Sequence, residues 1–251
     1  MKFYLDIPVT FPNGIIKQYD LIVPNGNPHD IPLLVWIHGG GWCGGEKRIF
    51  NDFERFVYRG FAVLAIDYRF AQEEPFPAQL IDCKMAIRWA RAHAQTYGYN
   101  ADKIIVGGNS AGGHLASLMG VTNGSTAYDC DSYLQYSSDV QAVVDEYGPI
   151  NLYTSELPGL SDALTLLLNN DINKIHDASP LQLITGKEPP FLILHGTADP
   201  VVPVSQSLRF YQALKTAGIN VQYYVVPDGN HGFDDANSYD ILTNFILSNL
   251  R

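Results

Sequence analysis

From residue 33 onward, short apolar runs alternate with longer amphipathic stretches. Leu33-Leu34-Val35-Trp36-Ile37 is unbroken, and similar runs recur at 61–66, 104–106, 140–144, 191–194 and 221–226. Runs without polar alternation predict strands covered on both faces, as in a parallel sheet. Residues 15–23 alternate enough to predict an early strand, followed by a turn at Pro24-Asn25-Gly26-Asn27-Pro28. Between the runs, 77–97, 111–121, 204–217 and 238–250 predict helices. In the clearest, 77–97, the set Leu80, Ile81, Lys84, Ile87, Arg88 and Arg91 includes apolar positions three and four apart. This order predicts one α/β domain over residues 1–251, a mostly parallel, doubly wound sheet with helices on both faces.

Two segments break the alternation. Residues 123–139 are polar and rich in Ser, Tyr and Asp, and 151–188 form a long insertion with a short helical stretch at 163–168. Long insertions after strand ends tend to cover the site of an α/β protein, so 151–188 is expected to be a small lid or pocket wall.

Composition narrows the function classes. Of 251 residues, 46% are hydrophobic and 17% charged, a globular balance that needs no staples. A net charge of −10 argues against nucleic acid and an anionic membrane as partners. The cysteines Cys43, Cys83 and Cys130 make neither a disulfide framework nor a zinc site. The first residues lack the apolar run of a signal peptide and no stretch has the length of a membrane span, so a cytoplasmic location is expected.

The strongest chemical signal is Gly108-Asn109-Ser110-Ala111-Gly112, a G-x-S-x-G between a predicted strand and a predicted helix. Serine on such a sharp turn sits in strained backbone, and its small neighbours let strand and helix approach. The helix N-terminus aims free N–H groups at the place where negative charge would develop. His38-Gly39-Gly40-Gly41-Trp42 follows the strand ending at Ile37. The N–H groups of Gly40, Gly41 and Ala111 are candidate oxyanion donors, typically worth about 2–4 kcal/mol each. Trp42 is a candidate substrate contact, and His38 is expected to hold the loop. Cys43, inside the same motif, is the weaker candidate nucleophile beside Ser110.

Serine needs a base. Of seven histidines, His231 in Gly229-Asn230-His231-Gly232-Phe233 follows the last strand and precedes the last helix. His29 and His93 read as surface, His114 as too near Ser110 along one helix, His176 as part of the insertion, and His195 as packing or loop-fixing. Asp199, after the strand at 191–194, completes the chain order Ser, Asp, His. Asp228 and Asp234 are rivals from the loop of His231; Asp145 and Glu146 follow an earlier predicted strand. Asp67 and Arg69 either brace the glycine loop or pair with each other.

Taken together, His38 to Trp42, Asp67-Tyr68-Arg69, Phe76-Pro77-Ala78, Gly108 to Gly113, Asp199-Pro200 and His231-Gly232-Phe233 resemble the hormone-sensitive-lipase-like esterases of the α/β-hydrolase fold. The likeness is nearest to the short, capless branch similar to acetylxylan and feruloyl esterases, because only 37 residues precede His38. One departure is Asn109, where that family usually has Asp. The resemblance implies a serine carboxylic-ester hydrolase working through an acyl-enzyme without cofactor or metal. Its substrates would be short-chain or aryl acyl esters, including small-molecule or saccharide esters such as acetylated or feruloylated xylan. An arylformamidase-type amide hydrolase and a non-catalytic binder on the same fold are the alternatives.

Overall fold

In the computed structural model the described residues are 1–11, 13–26, 30–47, 51–130, 132–233 and 235–250, with the side chains of Asn51, Asp52 and Thr154 excepted. His29, Asp234 and the end of the turn expected at 24–28 lie outside them.

The strands are β1 (Lys2–Thr10), β2 (Ile16–Val23), β3 (Leu33–Ile37), β4 (Ala62–Ile66), β5 (Ile104–Asn109), β6 (Ala142–Glu146), β7 (Phe191–Gly196) and β8 (Val221–Val226). They form one sheet in the order β1-β2-β4-β3-β5-β6-β7-β8. From β4 to β8 all pairs are parallel, while β1 and β2 add an antiparallel edge. The helices are α1 (Asn51–Tyr58), α2 (Ala78–Tyr97), α3 (Ala111–Val121), α4 (Ser161–Leu168), α5 (Lys174–Asp177), α6 (Ser205–Thr216) and α7 (Ala236–Asn249). This is the expected α/β-hydrolase arrangement.

Side-chain alternation along each strand builds two cores. Leu33, Val35 and Ile37 face one side, with Leu80, Leu115 and Phe210 from α2, α3 and α6. Leu34 and Val63 face the other, with Phe56 and Val57 of α1 and Phe245 and Ile246 of α7. Both faces are covered, which is why the central strands read as continuous apolar runs. Each fully buried side chain of this kind is worth about 1.5–3 kcal/mol.

Three features depart from the sequence expectation. Neither β1 nor α1 is among the expected elements. β1 alternates Phe3, Leu5, Ile7 and Val9, but of these only Val9 is buried, so its hydrogen bonds to β2 define it. α1 carries Phe53, Phe56 and Val57 on one side of only eight residues. The strand expected at 140–144 lies instead at Ala142–Glu146, so Asp145 and Glu146 belong to it. The polar segment 123–139 is tied down by cations of α2. Arg88 pairs with Asp129, and Arg91 donates to Ser137 O at 2.9 Å and Asp139 O at 2.6 Å, while the Lys84 ammonium donates to Thr122 O at 3.0 Å just before the segment. Burial of Lys84, with Arg88 nearby, lowers its pKa to about 8. Residues 151–188 carry 3-10 turns, α4 and α5, with Leu160 lining the cleft described next.

Candidate active site

The cleft opens at the C-terminal ends of β3, β5, β6 and β7, where an open α/β sheet places its ligands. Ser110 follows β5 directly, with φ 55° and ψ −121°, a left-handed backbone that a non-glycine residue adopts only under constraint. Two bonds supply the constraint: Ser110 N–H donates to Glu146 O at 2.8 Å, and His114 N–H donates to Ser110 O at 3.0 Å. Gly112 makes the approach possible, because a Cβ there would stand 2.0 Å from Ile37 O.

His231 reaches this serine from the loop after β8. Its Nε2 is 2.8 Å from Ser110 Oγ and its Nδ1 is 2.8 Å from Asp199 Oδ2. Residues 110, 199 and 231, far apart in sequence, therefore make one hydrogen-bonded line. Asp199 sits in the turn after β7, with its side chain fully buried. Burial opposes its ionisation, but hydrogen bonds from His195, His231 and the N–H groups of Val202 and Val201 outweigh it. The carboxyl is held far below the usual carboxylate range, so it is an anion at neutral pH.

The glycine run borders the same serine. A Cβ on Gly39 would lie 3.2 Å from Ser110 Cβ. Gly40 and Gly41 have φ of +113° and +60°, and Cys43 N–H donates to Gly40 O at 3.1 Å to close the turn. Ala111 begins α3, so its N–H is one of the free donors of a helix start. His38 holds the loop, as expected. Its Nδ1 faces Gly39 O at 2.7 Å, and its ring stacks on Tyr68 at 4.5 Å. Asp67 accepts from Lys47 N–H at 2.7 Å and so braces the loop, whereas Arg69 turns away to Asp82 at 2.7 Å. The cleft holds about 510 Å³, with Leu160 and Val201 on its walls.

Residues 19–214 match the BD-FAE family. The chain belongs to that family. It is 34% identical over 214 residues to Esterase LipC of Mycobacterium tuberculosis, a match covering 81% of this chain and 53% of LipC. The chain spans about half the length of the curated relatives it matches. Its fold superposes on a truncated carbohydrate esterase from gut microbiota with TM-score 0.88 and 26% identity, covering 100% of this chain and 96% of the other. A butyrate-bound thermophilic esterase from Thermogutta terrifontis gives TM-score 0.82 and 26% identity, covering 98% and 93%. The resemblance carried by the motifs agrees with these relatives.

Within this BD-FAE site one expectation is corrected. Trp42 is not a substrate contact. It is fully buried, and its indole N–H donates to His114 Nδ1 at 3.1 Å on the α3 side of the glycine loop. A large ring with one donor is satisfied in the core, so it has no group left to offer the cleft. His114 is in turn fully buried, with Nε2 2.7 Å from Ala178 O, and desolvation lowers its pKa to about 4. Cys43 is half-buried and its thiol is pushed up by desolvation, the opposite of an activated nucleophile. Asp145 is buried against Gly148 N–H at 2.8 Å and Ser117 at 3.1 Å, not against His231.

His195, expected to pack or fix a loop, does so: it lies 2.9 Å from Val202 O and 3.2 Å from Asp199 Oδ2 in the turn after β7. Tyr147 is the residue that the sequence pattern does not single out; it packs its ring on His231 at 4.9 Å, and nothing local marks it.

Proposed function

We propose that this chain hydrolyses carboxylic esters through an acyl-serine. The line of hydrogen bonds from Ser110 through His231 to Asp199, at 2.8 Å each, carries the reading. His231 Nδ1–H donates to Asp199, which leaves the Nε2 lone pair facing the serine hydroxyl. The Ser110 proton moves to Nε2 as Oγ attacks the carbonyl carbon. The carbonyl oxygen becomes an anion facing the N–H groups of Gly40, Gly41 and Ala111, beside the positive end of α3. Nε2–H then protonates the leaving alcohol, giving the acyl-serine. Water gives a proton to Nε2 as it attacks, and collapse releases the acid and restores the hydroxyl.

The substrates proposed are short-chain or aryl acyl esters, including acetylated or feruloylated sugars. A cleft of about 510 Å³ has room for a bulky alcohol, and the relatives include a carbohydrate esterase and a butyrate-bound esterase.

The test is a panel of acetyl, butyryl and feruloyl esters on simple alcohols and on xylan, with formylkynurenine as the amide comparison. Ester turnover, a covalent fluorophosphonate adduct on Ser110, and loss of both in Ser110→Ala are expected. Full activity in Ser110→Ala would end the assignment.

A further inference from the structure

Tyr147 follows β6 directly in a backbone conformation that a bulky side chain avoids, with φ 45°. Its N–H donates to Leu194 O at 2.8 Å, and Gly148 N–H donates to Asp145 Oδ1 at 2.8 Å. Gly148 is pressed on the first turn of α3, where a Cβ would stand 2.5 Å from His114 N. Strain of this kind persists only where the surroundings impose it, and it collects at sites in use.

The turn sets the buried Tyr147 ring between two histidines. Its centroid is 4.9 Å from that of His231, at 65°, and 6.4 Å from that of His195, at 72°. Phe233 packs on it at 5.4 Å and 72°, and a Cβ on Gly232 would lie 3.8 Å from its Oη. The loop that carries the base is therefore folded around one ring. Burial pushes the Tyr147 phenol up, so it keeps its proton at neutral pH and is no rival to His231 as a base. What it offers is the ring.

His231 needs a second support at one stage of turnover. With Ser110 free, hydrogen bonds to Ser110 and Asp199 hold the imidazole by both nitrogens. In the acyl-serine, Oγ has no proton to share with Nε2, and that bond is gone. The bond from Nδ1 to Asp199 remains, and one bond leaves the imidazole free to swing toward solvent, to which its side chain is 21% exposed. The Tyr147 contact does not depend on the state of Ser110.

We propose that Tyr147 is a positioning residue for deacylation: its ring keeps the His231 imidazole in place while Ser110 carries the acyl group. The inference rests on the acyl-serine reading above. In this step Nε2 takes a proton from water as the water oxygen bonds to the acyl carbon. The proton then passes to Oγ as the C–Oγ bond breaks, and the acid leaves. Both transfers need Nε2 held beside the acyl carbon, and small misplacements there are costly.

The experiment follows stopped-flow release of nitrophenolate from nitrophenyl acetate. Nitrophenolate leaves readily, so kcat reports deacylation, whereas kcat/KM reports acylation. Tyr147→Leu is expected to lower kcat roughly three- to tenfold, the span that one aromatic pair allows, and to enlarge the burst. KM should fall with kcat, leaving kcat/KM within about twofold. Tyr147→Phe keeps the ring and should recover most of the loss. Phe233→Leu leaves Tyr147 in place, removes the ring packed on it, and should lower kcat about twofold or more in the same pattern. Circular dichroism tracks the fold. A wild type that releases no nitrophenolate ends the hydrolytic reading and this inference with it. With release in the wild type, the inference alone is overturned by normal kcat in a folded Tyr147→Leu, by equal losses in kcat and kcat/KM, or by Tyr147→Phe as slow as Tyr147→Leu. If Tyr147→Leu does not fold, Phe233→Leu decides, and normal kcat there overturns the proposal.

Discussion

His195 and Asp199 are joined at the oxygen that also serves the base. Nε2 of His195 lies 3.2 Å from Asp199 Oδ2, which faces His231 Nδ1 at 2.8 Å. His195 is itself fixed by Ser207 Oγ at 2.7 Å and Val202 O at 2.9 Å. It is a positioning residue for the carboxylate. His195→Phe is expected to lower kcat for a short nitrophenyl ester by roughly tenfold or more, the effect of losing one hydrogen bond to a charged group. KM should stay within about twofold. An unchanged kcat in a folded variant would show the bond idle in turnover.

Gly40 is the next position where backbone geometry leaves no choice. At φ +113°, a Cβ would stand 2.2 Å from Gly44 O, so the loop must move to admit alanine. The proposed oxyanion donors move with it. Gly40→Ala should reduce kcat about 100- to 1,000-fold, the usual cost of a lost donor, with the fold intact by circular dichroism. A variant with near-normal kcat would place the oxyanion elsewhere.

The central sheet and the line of Ser110, Asp199 and His231 are readable from sequence for the same physical reason. Strands buried on both faces must be apolar throughout, and the sharp turns at their ends admit few residue types. Gly112 against Ile37 O is such a case. What stays hidden depends on tertiary partners. β1 alternates apolar and polar residues yet leaves Phe3 and Leu5 exposed, so its pairing with β2 holds it more than burial does. Trp42 follows a glycine run and so looks available to substrate, but the partner for its N–H, His114, is 72 residues away. Glu146 ends β6 at a position that looks solvated in sequence, and only the tertiary fold sets it in the lining of a cavity, beside Tyr239 and Leu242 of α7.

The Trp42–His114 bond makes its own prediction. His114 is neutral in the folded chain, with Nε2 facing Ala178 O, so Nδ1 depends on the indole N–H. Trp42→Phe leaves that nitrogen buried and unpaired, at about 1–3 kcal/mol. The expected result is a Tm lower by roughly 3–10 °C, with KM for short esters within about twofold at a permissive temperature. A large rise in KM with unchanged Tm would return Trp42 to the substrate.

Glu146 gives the fold a pH dependence whose sign follows from its raised pKa. Below its ordinary value of 4.5 the carboxyl is protonated whether the chain is folded or not. Between 4.5 and about 8 the folded chain keeps a proton that the unfolded chain releases, so stability falls as pH rises through that window and levels off above it. Glutamine has no proton to release. Glu146→Gln should therefore match the wild type in Tm near pH 4 and exceed it increasingly up to about pH 9. The gain is of the order of 1 kcal/mol or more, since a tenfold change in proton affinity is worth about 1.4 kcal/mol. Asp145, also raised to about 6 by burial, is present in both proteins, so its contribution cancels in the difference to first order. Thermal melts of the two proteins across this range, without ligand, check the point. A Tm difference that stays constant with pH would mean that Glu146 titrates in the folded chain as it does in the unfolded one, with any cost of its surroundings offset by a partner.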